Sequence, residues 1–144
     1  MKVCLDSNVL VSAFATRGIA SDVVRLTLAE HELIVPEVVL AEVLRVLEKK
    51  IRVSAELLEA VEEPLRRQTL IPKPRNTGRV SIRDADDAWV VASAVAGMAD
   101  LLVTGDADIL ALGKAAPLPV LTTRAFWERV TGKSGGAVSD QAGY

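Results

Sequence analysis

Short apolar runs alternate with longer segments that carry apolar residues at helical spacing along this 144-residue chain. The short runs are typical of buried strands, and the longer segments are typical of amphipathic helices. Such an alternation predicts an α/β fold, in which helices pack on both faces of a central parallel sheet. The predicted strands are Val3–Asp6, Leu33–Val35, Thr69–Ile71, Leu101–Thr104 and Val120–Thr122.

The segments between and after these strands predict helices, with Gly18 as a break and Ser21 as the N-cap of the second helix. The helix Asp84–Gly97 is nearly all apolar, which predicts burial on most of its sides. Pro72 to Gly78 is a predicted loop. Residues 1–130 are thus expected to form one domain, and the Gly- and Ser-rich segment Thr131–Tyr144 a flexible tail. The other predicted helices are Ser7–Phe14, Ser21–His31, Pro36–Lys50, Ser54–Arg67, Ala107–Leu112 and Arg124–Val130.

Composition narrows the class of protein. Half of the residues are hydrophobic, but no uncharged run approaches 18 residues, so a membrane-spanning helix is not expected. The first apolar run is too short for a signal peptide. Cys4 is the only cysteine, which excludes an internal disulfide and fits a reducing cytoplasm. We expect Cys4 to be a buried strand residue without chemistry of its own.

The net charge of −2 argues against a conventional basic nucleic-acid binder. This objection weakens if divalent cations neutralise an acidic site. The segment from Pro64 to Arg83 contains no acid, and two interpretations of it stay open: a solvated helix end and loop, or a surface that contacts phosphates. Its basic residues are Arg66, Arg67, Lys73, Arg75, Arg79 and Arg83.

Four carboxylates stand where an apolar segment meets a turn or a helix face. Asp6 ends the first strand, and Asp106 follows the fourth, so both are expected at the sheet edge where the carboxyl ends of parallel strands meet. Asp87 belongs to an acidic stretch that opens a buried helix, and Glu42 lies at the edge of an apolar helical stripe. Two like charges about 4 Å apart cost roughly 4 kcal/mol at an effective dielectric near 20, and a bound cation relieves such repulsion. Since His31 is the only histidine, oxygen ligands predominate, which favours Mg²⁺ or Mn²⁺.

Each acid also has a structural explanation. Glu42 can reach water from a boundary position, and Asp106 is suited to capping the next helix. Asp84 is a favoured N-cap that resembles a capping box with Asp87. Three acids within positions 84–87, directly before a buried helix, nevertheless exceed what capping requires. The joint occurrence of the motifs therefore carries the prediction of a metal site.

Taken together, these motifs resemble the PIN domain family, the metal-dependent ribonuclease fold of many VapC-like toxins in toxin–antitoxin pairs. Asp6-Ser7-Asn8 resembles the opening motif of the family, and Glu42 resembles its second acid. Asp87 stands at the position of the third acid, and Thr104-Gly105-Asp106 resembles the fourth motif. The resemblance covers about Met1–Val130. Ala85 departs from it, because a proline is common there.

The resemblance implies a three-layer α/β/α fold and an endoribonuclease that hydrolyses RNA phosphodiester bonds, leaving 5′-phosphate and 3′-hydroxyl ends. It also implies a cognate antitoxin and a homodimer as partners. In this family Asn8 would orient Asp6, Thr104 would hold a water or a phosphate oxygen, and Asp84 and Asp108 would be supporting carboxylates. The residues implied to bind one or two Mg²⁺ or Mn²⁺ ions and to carry catalysis are Asp6, Glu42, Asp87 and Asp106.

Other classes of protein fit less well. A phosphatase of the haloacid dehalogenase type would need an acid where Asn8 stands, and a receiver domain would need an acidic pair after the first strand. The main alternative is a PIN-like module that binds RNA or protein with little or no cleavage. The apolar stretches Val43–Leu47 and Leu57–Val61 suit either a partner contact or, more simply, the core.

Overall fold

Residues 1–78 and 80–132 are described by a computed structural model of the chain. Their strands form one sheet in the order β3-β2-β1-β4-β5, and every neighbouring pair is parallel. The predicted α/β fold with a central parallel sheet is therefore confirmed. The strands are β1 Lys2–Leu5, β2 Glu32–Pro36, β3 Thr69–Ile71, β4 Leu101–Val103 and β5 Val120–Leu121.

Helices cover both faces of this sheet, which makes the fold a three-layer α/β/α structure. Helix α3 continues into a π-helical segment, Val46–Ile51, so the predicted helix from Pro36 to Lys50 has two parts. A 3₁₀ turn, Gly113–Ala115, precedes β5. The helices are α1 Ser7–Ala15, α2 Ile19–Glu30, α3 Glu37–Arg45, α4 Ala55–Arg66, α5 Ala85–Ala96, α6 Ala107–Leu110 and α7 Thr123–Thr131.

Helix α2 begins earlier than the sequence suggested. Its N-cap is Gly18, not Ser21, and Ile19 and Ala20 already belong to its first turn. Both of these residues are buried in the core. The prediction from the capping preference of Ser21 was wrong because burying two further apolar residues outweighs a serine N-cap.

Helix α5 is buried on most sides along its middle, as predicted, because Ala88, Val90, Val91, Ser93 and Ala94 are all buried. Val91 and Ala94 are fully buried, whereas Val95 is 45% exposed. The helix ends in close contact with the sheet, since a Cβ atom on Gly97 would lie 2.8 Å from side-chain carbons of Ile34 and Ile71. The absence of a side chain at Gly97 therefore allows this end of α5 to approach β2 and β3.

The apolar stretches Val43–Leu47 and Leu57–Val61, which suited either a partner contact or the core, pack largely in the core. Val43, Leu47 and Val61 are buried, while Leu57 is exposed. Cys4 is buried as predicted, and its burial raises the pKa of the thiol, with the nearby charge of Asp6 adding to the effect. No helix in the described ranges is long and apolar enough to cross a membrane. The predicted tail, apart from its first two residues, lies outside the described residues.

The order of the strands places the loops that follow β1 and β4 side by side. The chain adds β2 and β3 on one side of β1 and then returns to lay β4 on the other side. Ligands bind open α/β sheets at such a reversal, outside the carboxyl ends of the strands. The last residues of the two central strands, Leu5 and Val103, are paired. Asp6 and Thr104, which follow them, are therefore neighbours.

Candidate metal centre

Asp6 is anchored at the carboxyl end of β1. Its backbone N–H donates to the carbonyl oxygen of Val103 at 2.9 Å, and its Oδ1 accepts the backbone N–H of Ser7 at 2.7 Å as the N-cap of α1. The side chain is almost fully buried. This desolvation raises the pKa of the Asp6 carboxyl, and the charge of Asp106 adds to it, although hydrogen bonds from Thr104 and Ser7 oppose the rise.

A hydrogen-bond network holds the second oxygen of Asp6. Thr104 donates from Oγ1 to Asp6 Oδ2 at 2.6 Å, and the same hydroxyl accepts the Asp106 N–H at 3.0 Å. Asn8 donates from Nδ2 to Asp6 Oδ2 at 3.2 Å and accepts the Gly105 N–H at 3.0 Å. Asn8 is thus placed to orient Asp6. The expectation that Thr104 holds a water or a phosphate oxygen is corrected, because its hydroxyl is buried and already engaged.

Asp106 serves as the N-cap of α6, as its structural explanation proposed. Its Oδ1 accepts the N–H groups of Asp108 at 2.8 Å and Ile109 at 3.1 Å. Within the described ranges no hydrogen-bond donor contacts Oδ2. Capping and metal binding are therefore compatible at this residue, since each uses a different oxygen.

The acids that open α5 divide into different tasks. Asp84 is the N-cap and accepts the Asp86 N–H at 2.9 Å. Asp87 does not complete a capping box, because no hydrogen bond in the described part of the chain joins its carboxylate to the backbone of Asp84. Asp86 is exposed, whereas Asp87 is half-buried. Asp87 is therefore better shielded from water than Asp86.

Three carboxylates approach one another closely enough to hold one cation. One oxygen each from Asp87, Asp106 and Asp108 lie within 4.8 Å of one another. The pKa of Asp87 is raised to about 6, first by desolvation and then by the charges of Asp106, Asp84, Asp6 and Asp108. This set consists of oxygen donors alone and carries uncompensated negative charge, so it fits a hard divalent cation such as Mg²⁺ or Mn²⁺.

Glu42 lies apart from this close group. It lines the same cavity, but Arg45 holds it through Nη2–Oε1 at 2.8 Å, Nη2–Oε2 at 3.0 Å and Nε–Oε2 at 3.1 Å. The Glu42 side chain is 42% exposed, so water remains accessible to it. Hydrogen bonds to Glu42 raise the pKa of Arg45 further. The negative charge of Glu42 is therefore balanced by the guanidinium of Arg45 in this structure.

The cavity that these residues line, apart from Asp108, has a volume of about 520 Å³ and is open to solvent. Sequence reasoning did not place Arg45 or Trp89 in this cavity, and it considered Lys73 only as part of a basic segment. The ammonium of Lys73 lies 4.2 Å from the centroid of the Trp89 ring, in cation–π contact. Arg45 was detectable from its i,i+3 spacing to Glu42. Lys73 and Trp89 lie on separate segments, and no local pattern links them. The acids that line the cavity are Asp6, Glu42, Asp84, Asp86, Asp87 and Asp106.

The basic residues of the segment from Pro64 to Arg83 have different surroundings. Arg66 and Arg67 pair with acids one turn earlier on α4, as in a solvated helix end. Lys73 instead faces the acidic cavity. Arg75 and Arg83 are exposed and have no ion pair among residues 1–78 and 80–132, whereas Arg79 lies outside the described residues. Arg66 and Arg67 thus agree with the interpretation as a solvated helix end, whereas a phosphate contact at Lys73 stays a prediction.

Comparisons with known proteins agree with this architecture. A family model described as PIN domain matches residues 2–108, which is most of the chain and includes all four proposed ligands. No curated protein matches the sequence. Among solved structures 15 chains match. One is VapBC2 from Rickettsia felis, bound to a DNA fragment from their promoter. It has a TM-score of 0.63 and 20% identity, over 85% of this chain and 98% of that one.

Proposed function

Because this chain belongs to the PIN domain family, we propose that it is a metal-dependent endoribonuclease whose active site is the acidic cavity. The observation that carries this proposal is the group formed by Asp87, Asp106 and Asp108, directly beside the buried Asp6. Such a concentration of carboxylates destabilises the metal-free protein and is relieved by a divalent cation. The substrate is proposed to be the phosphodiester backbone of RNA.

We assign the metal ligands to Asp6, Glu42, Asp87 and Asp106, and we add Asp108 as a supporting ligand. Asp87 and Asp106 need no movement to share a cation, since their oxygens already lie close together. Asp6 still has lone-pair capacity, because a carboxylate accepts about four hydrogen bonds and Asp6 accepts three. Glu42 joins the site only when it exchanges its contacts with Arg45 for the cation. Mg²⁺ and Mn²⁺ both suit this donor set.

A bound divalent cation supplies a water that is activated near neutral pH and stabilises negative charge on the phosphate. The chain's own residues orient the reactants. Thr104 and Asn8 fix the Asp6 carboxylate, and the carboxyl end of β1 holds it in place. Lys73, at the mouth of the cavity, offers a positive charge to the incoming phosphate backbone. This chemistry requires no ribose 2′-hydroxyl.

We further propose that the chain is the toxin of a toxin–antitoxin pair. The structural similarity to VapBC2 supports this proposal through the fold, which both proteins share. A cognate antitoxin and a second copy of the chain are then the expected protein partners. The expected compartment stays the cytoplasm. An adjacent small open reading frame whose product binds this chain and suppresses its activity would distinguish a toxin from a housekeeping ribonuclease.

A second candidate is a PIN domain that binds RNA or protein without cleaving it. The hold of Arg45 on Glu42 favours this alternative, because a ligand that stays engaged by arginine leaves the metal site incomplete. Under this proposal, RNA binding would persist in EDTA and would not lead to products.

Cleavage of a labelled structured RNA by purified protein in Mg²⁺, Mn²⁺ or EDTA decides between the two candidates. We expect cleavage that depends on metal and is lost in Asp6→Asn and Asp87→Asn. Asp22→Asn is the matched control, since it makes the same change on α2, outside the cavity. Inactive wild-type protein, tested on several RNAs without antitoxin, would support the binding module.

A further inference from the structure

A second groove adjoins the acidic cavity. Asn8 and Asp106 line both spaces, so the two lie next to each other. The groove runs from α1 and the start of α2 to the loop after β4 and the start of α7, with a volume of about 800 Å³. Other residues along it include Ser12, Ile19, Ala20, Thr122, Thr123 and Arg124.

The chemistry of this groove differs from that of the acidic cavity. Its only described carboxylate is Asp106, at the shared boundary, and its only described cation is Arg124. Its lining includes the apolar residues Ile19 and Ala20 and the hydroxyl-bearing residues Ser12 and Thr123. A negatively charged polymer that reaches the cavity would thus meet less repulsion here. Apolar and hydroxyl groups suit a base and a ribose.

Arg124 lies at a position where a positive charge does not stabilise the protein. It lies in the first turn of α7, which contains no acid, and a cation at this end opposes the helix dipole. Its side chain is exposed, and no residue in the described ranges forms an ion pair with it. No contact within the described chain therefore favours a cation at this position, whereas a bound anion would favour it.

We propose that this groove binds the nucleotide of single-stranded RNA next to the scissile phosphate, and that Arg124 contacts its backbone phosphate. The proposal rests on the proposed ribonuclease function, which it deepens. The two spaces share Asn8 and Asp106 in their linings, so one strand that passes these residues would reach both. Arg124 then acts as a substrate-binding residue, and it takes no part in metal binding.

Binding is measured by fluorescence anisotropy with a fluorescein-labelled 12-nucleotide single-stranded RNA, in Mg²⁺. All variants carry Asp87→Asn to prevent cleavage. We expect Arg124→Ala to weaken binding about five- to tenfold and to reduce the slope of log affinity against log salt by about 0.7, as for one lost phosphate contact. Arg129→Ala is the matched control, since it removes the same charge from the last turn of the same helix. It should change affinity less than about twofold.

Thr123→Glu separates binding from folding. An acid in the first turn of α7 is favoured by the helix dipole, so the melting temperature should hold or rise. The same carboxylate would enter the groove beside Arg124, and we expect RNA affinity to fall at least as far as in Arg124→Ala. A variant that is folded as well as the parent but binds RNA less tightly supports the subsite.

Kinetics in the active background distinguish this proposal from the proposed function. Arg124→Ala should raise KM and leave kcat and Mn²⁺ affinity within about twofold, because it removes binding shared by ground and transition states. If the wild type cleaves RNA while Arg124→Ala and Arg129→Ala bind it equally, the subsite is wrong and the ribonuclease stands. The groove would then be left for a protein partner. If Arg124 governs RNA affinity but no cleavage occurs, the subsite stands and the ribonuclease is wrong.

Discussion

The hydroxyl of Thr104 donates a 2.6 Å hydrogen bond to Oδ2 of Asp6, across 98 positions of the sequence. The two residues meet because β1 and β4 are parallel neighbours that end side by side. Thr104 also accepts the N–H of Asp106. One buried hydroxyl therefore links two of the proposed metal ligands, and their relative position depends on it.

Thr104→Val is expected to weaken Mn²⁺ binding about tenfold, within the range found when a residue that orients a metal ligand is lost. Valine keeps the shape but removes the donor to Asp6, so the pKa of that carboxyl should rise further. Calorimetric titration with Mn²⁺ measures the effect. Thr104→Ser is the control, because it keeps the hydroxyl. Equal affinities for the serine and valine variants would show that the hydrogen bond does not support the metal site.

Asp87→Asn should stabilise the metal-free protein at pH 7–8. The folded state raises the pKa of Asp87 to about 6, chiefly by desolvation, so ionisation of this group opposes folding. After allowance for screening at a partly exposed group, the melting temperature in EDTA should rise by about 2 °C. Asp22→Asn, on the surface of α2, should not give this rise. A lower melting temperature for Asp87→Asn would instead mark this carboxylate as a stabilising residue.

The same pKa shift predicts how the stability of the metal-free protein depends on pH. Between its usual value of 3.8 and about 6, the folded state binds the Asp87 proton more tightly than the unfolded state does. Protonation of Asp87 therefore stabilises the folded state fully below about pH 4, and this stabilisation is lost as the pH rises through about 6. Melting curves in EDTA at pH 4.5 and 7.5 should show a smaller gain for Asp87→Asn at the lower pH. A constant difference between the two proteins would contradict the shift.

Excess Mg²⁺ should stabilise the wild type relative to EDTA, because a cation that binds only the folded state adds about 2.7 kcal/mol at 100 times its Kd. In Asp106→Asn the increase in melting temperature should be much smaller, since this residue belongs to the close carboxylate group. Asp100→Asn provides a control outside the cavity, at the residue directly before β4. Equal shifts in all three proteins would indicate that Mg²⁺ acts elsewhere.

The sequence predicted the fold because the fold depends on local patterns, and the acids that it singled out line one cavity in the structure. Short apolar runs that end at Asp6 and before Asp106 define strands, and parallel strands bring such ends together without further information. Helix ends were less accurate. The start of α2 was misplaced because the burial of Ile19 and Ala20 is a tertiary effect, which capping preferences do not reflect.

The features that the sequence did not predict depend on contacts between distant segments. Thr104 was recognised as a site residue, but its task depends on the pairing of β1 with β4. Asp108 was one of several surplus acids, and only the turn of α6 shows that it faces Asp87. The groove beside Arg124 combines parts of four helices and a loop, so no single stretch of sequence indicates it.

Glu42 gives the sharpest test of the four-ligand assignment, because Arg45 matches its charge in the structure. If Glu42 is a ligand, Arg45 competes with the cation for it. Arg45→Met should then raise Mn²⁺ affinity by roughly two- to fivefold, a modest effect because an exposed ion pair contributes little. Glu42→Gln should lower Mn²⁺ affinity in the same titration. Arg25→Met, which disrupts the i,i+3 pair with Asp22 on α2, is the matched control. If both cavity variants bind Mn²⁺ like the wild type, Glu42 is a surface partner of Arg45, and the cation is held without it.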